Sequence, residues 1–273
     1  MNHPRASAHT PKRILTLDLG NTALTAGLWD GGVPADAWSS PFRAQSLRKR
    51  LQVLRQERGV DSAILASVVP ARNRAILDIC RDVLGLECSV LDSKTPTGLT
   101  ILYLNPEQVG ADRIANAVGA FHRCGGPVIA VDFGTAITFD VVSDAFEYLG
   151  GVIAPGLVIS TEALFKKAAL LPKVKISIPG RVLGRETSES IRSGVYWGTL
   201  GLVDRIIREL KKELGWGRET RLVATGGYAG LILSRSRLIR EIDPLLTLRG
   251  LYLIAQKISP LRHEDTKKIK SES

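Results

Sequence analysis

The chain has 273 residues, 44% of them apolar and few aromatic, a size and composition suited to a globular α/β protein of one large domain or two modest ones. Its net charge of +10 is half terminal: residues 1–13 carry +3 and residues 257–273 carry +2. The +5 left over is spread along the chain with no arginine-rich helix or aromatic array, which excludes a dedicated nucleic-acid face and leaves a weak general attraction for small anions.

No run reaches the roughly 18 apolar residues of a membrane helix. Residues 1–13 lack the apolar stretch of a secretory signal. Cys80, Cys88 and Cys124 are odd in number and form no C-x-x-C pair, so reduced thiols and a cytoplasmic location are expected.

Residues 1–12 read as a disordered basic tail. Arg13–Leu17 reads as a strand, Asp18–Thr22 as a turn and Ala23–Trp29 as a second strand, with Asp30–Gly32 as hairpin punctuation. Leu47, Leu51 and Leu54 predict a helix over Ser46–Gly59, capped by Gly59. Ser62–Val68 is a buried strand, Asn73–Leu84 an amphipathic helix and Cys88–Leu91 a strand. A helix over Ile114–Phe121 follows Gly110-Ala111-Asp112-Arg113.

The plan then restarts. Val128–Asp132, Ala136–Val142 and Tyr148–Ile153 read as successive strands, and Pro155–Leu170 as a helix. Ser188–Leu214 reads as a long helix entered through Thr187 or Ser188. A strand over Arg221–Ala224 stops at Thr225-Gly226-Gly227, and Tyr228–Leu233 and Thr247–Ile258 are helices. The alternation predicts mostly parallel sheets covered by helices. Two related halves, 13–125 and 126–258, are expected around a central cleft, with a polar tail at 259–273.

The halves share a signature. Ile14–Thr22 reads ILTLDLGNT and Val128–Ala136 reads VIAVDFGTA, each an apolar run ending at Asp-x-Gly. One copy alone is adequately explained as a hairpin, since Asp, Gly and Asn are turn residues. Hairpin chemistry does not require the same Asp twice. Two such turns offer carboxylates and free amides suited to a polyphosphate and its cation. Asp18 would lie near Mg²⁺, with the Gly20–Thr22 amides and the Thr22 hydroxyl on phosphate oxygens.

Asp112 near a helix start is ordinary by itself, because the helix dipole favours an acid there. With Arg113 beside it, the same turn can bind a carboxylate ligand while Asp112 accepts a hydroxyl proton. Gly226-Gly227 after a strand is a tight turn, or bare backbone against which adenine lies. Four scattered histidines give no metal spacing, and P-loop and Rossmann patterns are absent.

These residues resemble the type III pantothenate kinase family of the actin-like ATPase and sugar-kinase superfamily. The match runs in order through DLGNT (Asp18–Thr22), YLNPEQVGADR (Tyr103–Arg113), DFGTA (Asp132–Ala136), GGVIAPGL (Gly150–Leu157), TSESIRSG (Thr187–Gly194) and ATGGYA (Ala224–Ala229). The resemblance implies two actin-like, ribonuclease H-like halves with mixed sheets flanked by helices, and ATP-dependent phosphorylation of pantothenate in coenzyme A synthesis. It places the ATP phosphate loop on Asp18, Leu19, Gly20, Asn21, Thr22, Ala23, Leu24 and Thr25, with Thr135, Gly226 and Gly227 as further ATP contacts. Pantothenate contacts fall on Tyr103, Gly110, Ala111, Asp112, Arg113 and Thr187, with Asp112 the proton acceptor. Asp132 falls on the ligand of a monovalent cation, K⁺ or NH₄⁺, required besides Mg²⁺, and a homodimer is implied. Two alternatives share parts of the pattern: another phosphotransferase or phosphohydrolase of the superfamily, and a regulator of the Bvg accessory factor kind.

Overall fold

The first apolar run forms strand β1 (Arg13–Leu19), the centre of a five-stranded sheet. The computed structural model describes residues 13–167 and 172–258. The two tails and the predicted end of the helix at 168–170 lie outside the described residues. The described chain divides into two units, one comprising residues up to Thr97 with those from Leu251 onward, the other Gly98–Gly250.

In the first unit, β2 (Leu24–Asp30), β3 (Val33–Ser40), β4 (Ser62–Ser67) and β5 (Cys88–Val90) join β1 in the order β3-β2-β1-β4-β5. β1, β2 and β3 run antiparallel in sequence, while β1, β4 and β5 are parallel. The sheet is mixed, where alternation of element types predicts mostly parallel pairing, because two tight hairpins precede the first helix. β3 has no predicted counterpart: its exposed, proline-containing sequence has weak strand patterning.

Period-two alternation in β1 sends Leu15, Leu17 and Leu19 to one face. There they are buried with Leu47, Leu51 and Leu54 of α1 (Ala44–Glu57) and Ile76, Ile79 and Val83 of α2 (Pro70–Leu84). The other face carries Ile14, Thr16 and Asp18. On it, Trp29 Nε1 donates to Thr16 Oγ1 at 2.9 Å, and the indole stacks at 5.0 Å on Tyr252 of α7 (Leu246–Ile258).

The second unit contains β6 (Thr100–Ile101), a 3-10 turn at Pro106–Gln108, α3 (Ala111–Cys124), β7 (Val128–Phe133), β8 (Ala136–Val142) and β9 (Glu147–Pro155). It continues through α4 (Leu157–Lys167), α5 (Thr187–Glu213), β10 (Arg221–Thr225), α6 (Ala229–Leu233) and β11 (Glu241–Ile242). Its strand order is β11-β10-β7-β8-β9-β6. Without β6, this is the first sheet repeated with the same strand directions. The repeat extends to single bonds: Val68 N–H donates to Leu19 O after β4, as Tyr228 N–H donates to Phe133 O after β10.

Ile129, Val131, Phe133, Ile137, Phe139 and Val141 share the face buried against Tyr196, Leu200 and Val203 of α5 and Ile232 of α6. Asp132 and Asp140 therefore fall on the opposite face, the one α3 covers. α3 follows the first sheet in sequence yet packs on the second, which is why the units part at Thr97/Gly98 and not near 124–127, where the strand pattern restarts. α5 starts at Thr187 with Glu186 as its N-cap residue, one position ahead of the predicted entry.

Candidate active site

Asp18 is half-buried near the end of β1, on the face opposite the leucines, and pairs across the hairpin with Thr25. The turn Gly20–Ala23 is closed by Gly20 N–H donating to Ala23 O at 3.0 Å. Asn21 and Thr22 are exposed. Leu19 and Leu24 are buried in the core, so within this loop they can offer a ligand only their backbone. Asp132 occupies the matching place in the second unit: it pairs with Thr138, and Gly134 N–H closes its turn on Ala136 O.

Neither Gly20 nor Gly134 is demanded by the fold. A Cβ on either would meet its neighbours no closer than 3.6 Å and 3.5 Å, ordinary contact distances. Each turn therefore has room for a side chain that its glycine does not carry. Gly226 differs. Its φ is +90°, and a Cβ there would overlap Asp132 Oδ1 and crowd the Phe133 backbone at 2.6 Å, so packing alone requires glycine. Gly227 faces open space and is the better surface for a flat ring.

The N-terminus of α3 brings Asp112 and Arg113 together with Asn116. Asp112 sits in its first turn, where its Oδ1 accepts the Arg113 amide at 2.8 Å. One turn on, Asn116 donates from Nδ2 to Asp132 Oδ2 at 3.1 Å and accepts the Thr247 hydroxyl at 2.7 Å. Burial pushes the Asp132 carboxyl up to about 6, against the Asn116 hydrogen bond and with the Asp112 charge adding to the rise. Burial also raises Asp112, opposed by the hydrogen bond and charge of Arg113. A buried carboxylate raised further by a neighbouring acid favours a cation or a proton beside it.

Arg113 is buried rather than presented freely. Its Nε donates to Asp140 Oδ1 at 2.7 Å and its Nη2 to Phe139 O at 3.4 Å. Tyr148 O–H donates to the same Asp140 oxygen at 2.9 Å. Burial pushes Asp140 up to about 7 against the pull of Arg113 and Tyr148. Tyr103 lies beside this array, its ring centroid 6.3 Å from that of Tyr148. Gly150, at φ +134°, lets the chain pass under the Tyr103 ring. Gly110 caps α3, and Ala111 is buried at its first position.

Asp112, Arg113 and Tyr103 are thus joined by contacts through Asp140 and Tyr148, and Asp132 through Asn116. Thr135 is exposed in its turn, which is backed by Gly156, where a Cβ would overlap Thr135 O. Thr187 is exposed at the start of α5 and makes no side-chain hydrogen bond to this cluster among the described residues. Asp140, Tyr148 and Asn116 are the functional candidates that sequence reasoning missed. The available signals were an acid inside the apolar strand AITFDVV and an Asn four residues after Asp112, on the same helix face. Among the described residues, no three His, Cys, Asp or Glu side chains are grouped to hold a metal ion. The donors present suit a cation whose shell is completed largely by ligand oxygens and water.

The family model described as Type III pantothenate kinase matches residues 14–209. A Type III pantothenate kinase of Koribacter versatilis (strain Ellin345) is 40% identical over 264 residues, covering 89% of this chain and 95% of that protein. Among solved structures, a Campylobacter jejuni protein described as a Baf family transcriptional activator aligns with a TM-score of 0.59 at 19% identity, covering 90% of this chain and 100% of that one. A ROK family glucokinase from Streptomyces griseus, solved with glucose and AMPPNP, aligns with a TM-score of 0.53 at 11% identity, over 90% and 98% of the two chains. These two share the fold of this chain.

Proposed function

The chain belongs to the type III pantothenate kinase family, and from that premise we propose how its residues carry out ATP-dependent phosphorylation of pantothenate to 4'-phosphopantothenate, the first step of coenzyme A synthesis. The observation that carries the assignment of roles is the first turn of α3, where Asp112 and Arg113 sit side by side against Asp132 and Asp140.

Phosphoryl transfer passes through a loose transition state, so positioning and charge neutralisation dominate. Asp112 orients the primary hydroxyl of pantothenate and takes its proton. A base is most effective with its pKa near the working pH, and burial moves Asp112 in that direction. Arg113 holds the pantothenate carboxylate through the part of its guanidinium not engaged by Asp140 and Phe139, and Tyr103 lines the same pocket. Thr187 supplies a further pantothenate contact.

The open turns at Gly20 and Gly134 fit phosphate groups. Asp18 through Thr25 form the phosphate loop, with Thr135 and the Gly226–Gly227 backbone as further nucleotide contacts. Asp132 holds a monovalent cation, K⁺ or NH₄⁺, and Asp18 stands near Mg²⁺. When bound, these cations supply positive charge where phosphate oxygens crowd. A homodimer in the cytoplasm completes the reading, supported by family membership and by the lack of any described helix long and apolar enough to cross a membrane.

A coupled assay of ADP release tests the reaction. Turnover should require pantothenate and rise steeply on addition of K⁺ or NH₄⁺. ADP release at the same rate without pantothenate would overturn the assignment.

A further inference from the structure

Burying an arginine with a carboxylate is costly, and an apolar pair of similar volume is often as stable or more so. This chain nevertheless buries Arg113 and Asp140 almost completely, with side chains 7% and 0% exposed. The pair is also elaborately held. Asp140 Oδ1 takes hydrogen bonds from both Arg113 Nε and Tyr148 O–H. The guanidinium lies 5.8 Å from the centre of the Tyr148 ring. Beneath it, a Cβ on Gly151 would overlap Phe139 O and also come within 2.5 Å of Nη2, so strand pairing and the guanidinium both leave that position without a side chain. Asp140 and Gly151 are register partners on β8 and β9, which puts carboxylate and vacant position directly opposite one another.

Two features mark this as more than a structural pair. Asp140 Oδ2 is buried without a hydrogen-bond partner, a standing cost that a site optimised for stability alone would shed. Among the described residues, Nη1 has no hydrogen-bond partner, whereas Nε and Nη2 are both engaged. One edge of the guanidinium is fixed and the other is left uncommitted.

We propose that Asp140, held by Tyr148, is a positioning residue that fixes the Arg113 guanidinium with its Nη1 edge toward the acceptor's carboxylate, and so sets the enzyme's preference for a carboxylate-bearing acceptor. This rests on the assignment of Arg113 to the pantothenate carboxylate. Asp140 itself touches no substrate. It acts by sparing the arginine the loss of freedom that binding would otherwise cost.

The test compares pantothenate with its alcohol analogue, in which a hydroxymethyl group replaces the carboxylate, in the wild type and in Arg113→Lys, Asp140→Asn and Tyr148→Phe. Asn keeps the size of Asp and can still accept the Arg113 Nε–H. Residues sharing one network are coupled strongly enough that Asp140→Asn should raise the pantothenate KM roughly 5–50-fold. The KM values for the alcohol and for ATP should not move, and kcat should stay within about threefold. The preference for pantothenate over the alcohol then falls by the same factor as KM rises. A purely structural role would lower kcat equally for both acceptors and leave the preference intact, which would overturn the proposal. If Arg113→Lys keeps the preference, the carboxylate assignment itself fails. If Arg113→Lys loses it while Asp140→Asn keeps it, only the positioning role fails. Should Asp140→Asn not fold, Tyr148→Phe decides: a smaller loss of preference supports the proposal, and an unchanged preference overturns it.

Discussion

At the level of single side chains, the first turn of α3 makes the sharpest demands. Asp112→Asn removes the proposed proton acceptor while keeping its size, and kcat should fall roughly 10²–10⁴-fold, the usual span for a general base. Pantothenate KM should change far less. A wild-type turnover number in the purified variant would show that another group takes the proton. The pH dependence has a definite sign. Burial raises Asp112, and a base works only when deprotonated, so activity is lost as pH falls through that raised value. The acidic limb of kcat/KM for pantothenate should therefore lie above the ordinary aspartate range. A limb at the ordinary value would indicate that Asp112 is solvated when it works. Asp112, Arg113 and Asp132 were legible in the sequence because each belongs to a compact motif. Asp140 and Asn116 were not. A lone acid in an apolar strand gains meaning only when register and helix phase bring it against a partner 27 residues away, as Arg113 meets Asp140.

Among elements, the decisive contacts are backbone to backbone. α3 and the start of α7 approach so closely that a Cβ on Gly250 would overlap Ala115 O, and one on Gly119 would lie 2.6 Å from Leu246 O. The same approach holds Thr247 on Asn116, and through it Asp132. Gly250→Ala should destabilise by about 1–3 kcal/mol, as overpacked sites do. For a chain of this size, that lowers Tm by roughly 2–12 °C. An unchanged melting temperature would mean that the helices separate without cost. Most strands and helices could be read from apolar periodicity, with ends displaced by up to three residues. The edge strands β3, β6 and β11 could not, since β6 and β11 are two residues each and β3 is largely exposed. Such strands are defined by pairing rather than by their own sequence.

On the scale of the whole chain, two sheets repeat one topology, and the duplicated Asp-x-Gly signature foretold it. What the signature could not foretell is which sheet each following helix would cover. α3 packs on the second sheet, and α7 from Leu251 onward belongs with the first, so sequence order and spatial grouping part company. Asp18 provides a test at this level. A ligand held at 100 times its Kd stabilises the folded state by about 2.7 kcal/mol. Mg²⁺ with an ATP analogue should therefore raise the wild-type Tm by roughly 5–10 °C, and Asp18→Asn should lose most of that rise. A full shift in the variant would remove Asp18 from the metal–nucleotide site. The duplication is imperfect at one informative place. Leu19 and Leu24 are spanned by Gly20, Asn21, Thr22 and Ala23, whereas Phe133 and Ile137 are spanned only by Gly134, Thr135 and Ala136. A single inserted residue gives the earlier hairpin tip an extra amide and an exposed asparagine. Under the proposed reading, that one extra residue widens the earlier tip into a grip for the nucleotide's chain of anions and leaves the later one narrower, beside the lone ion at Asp132.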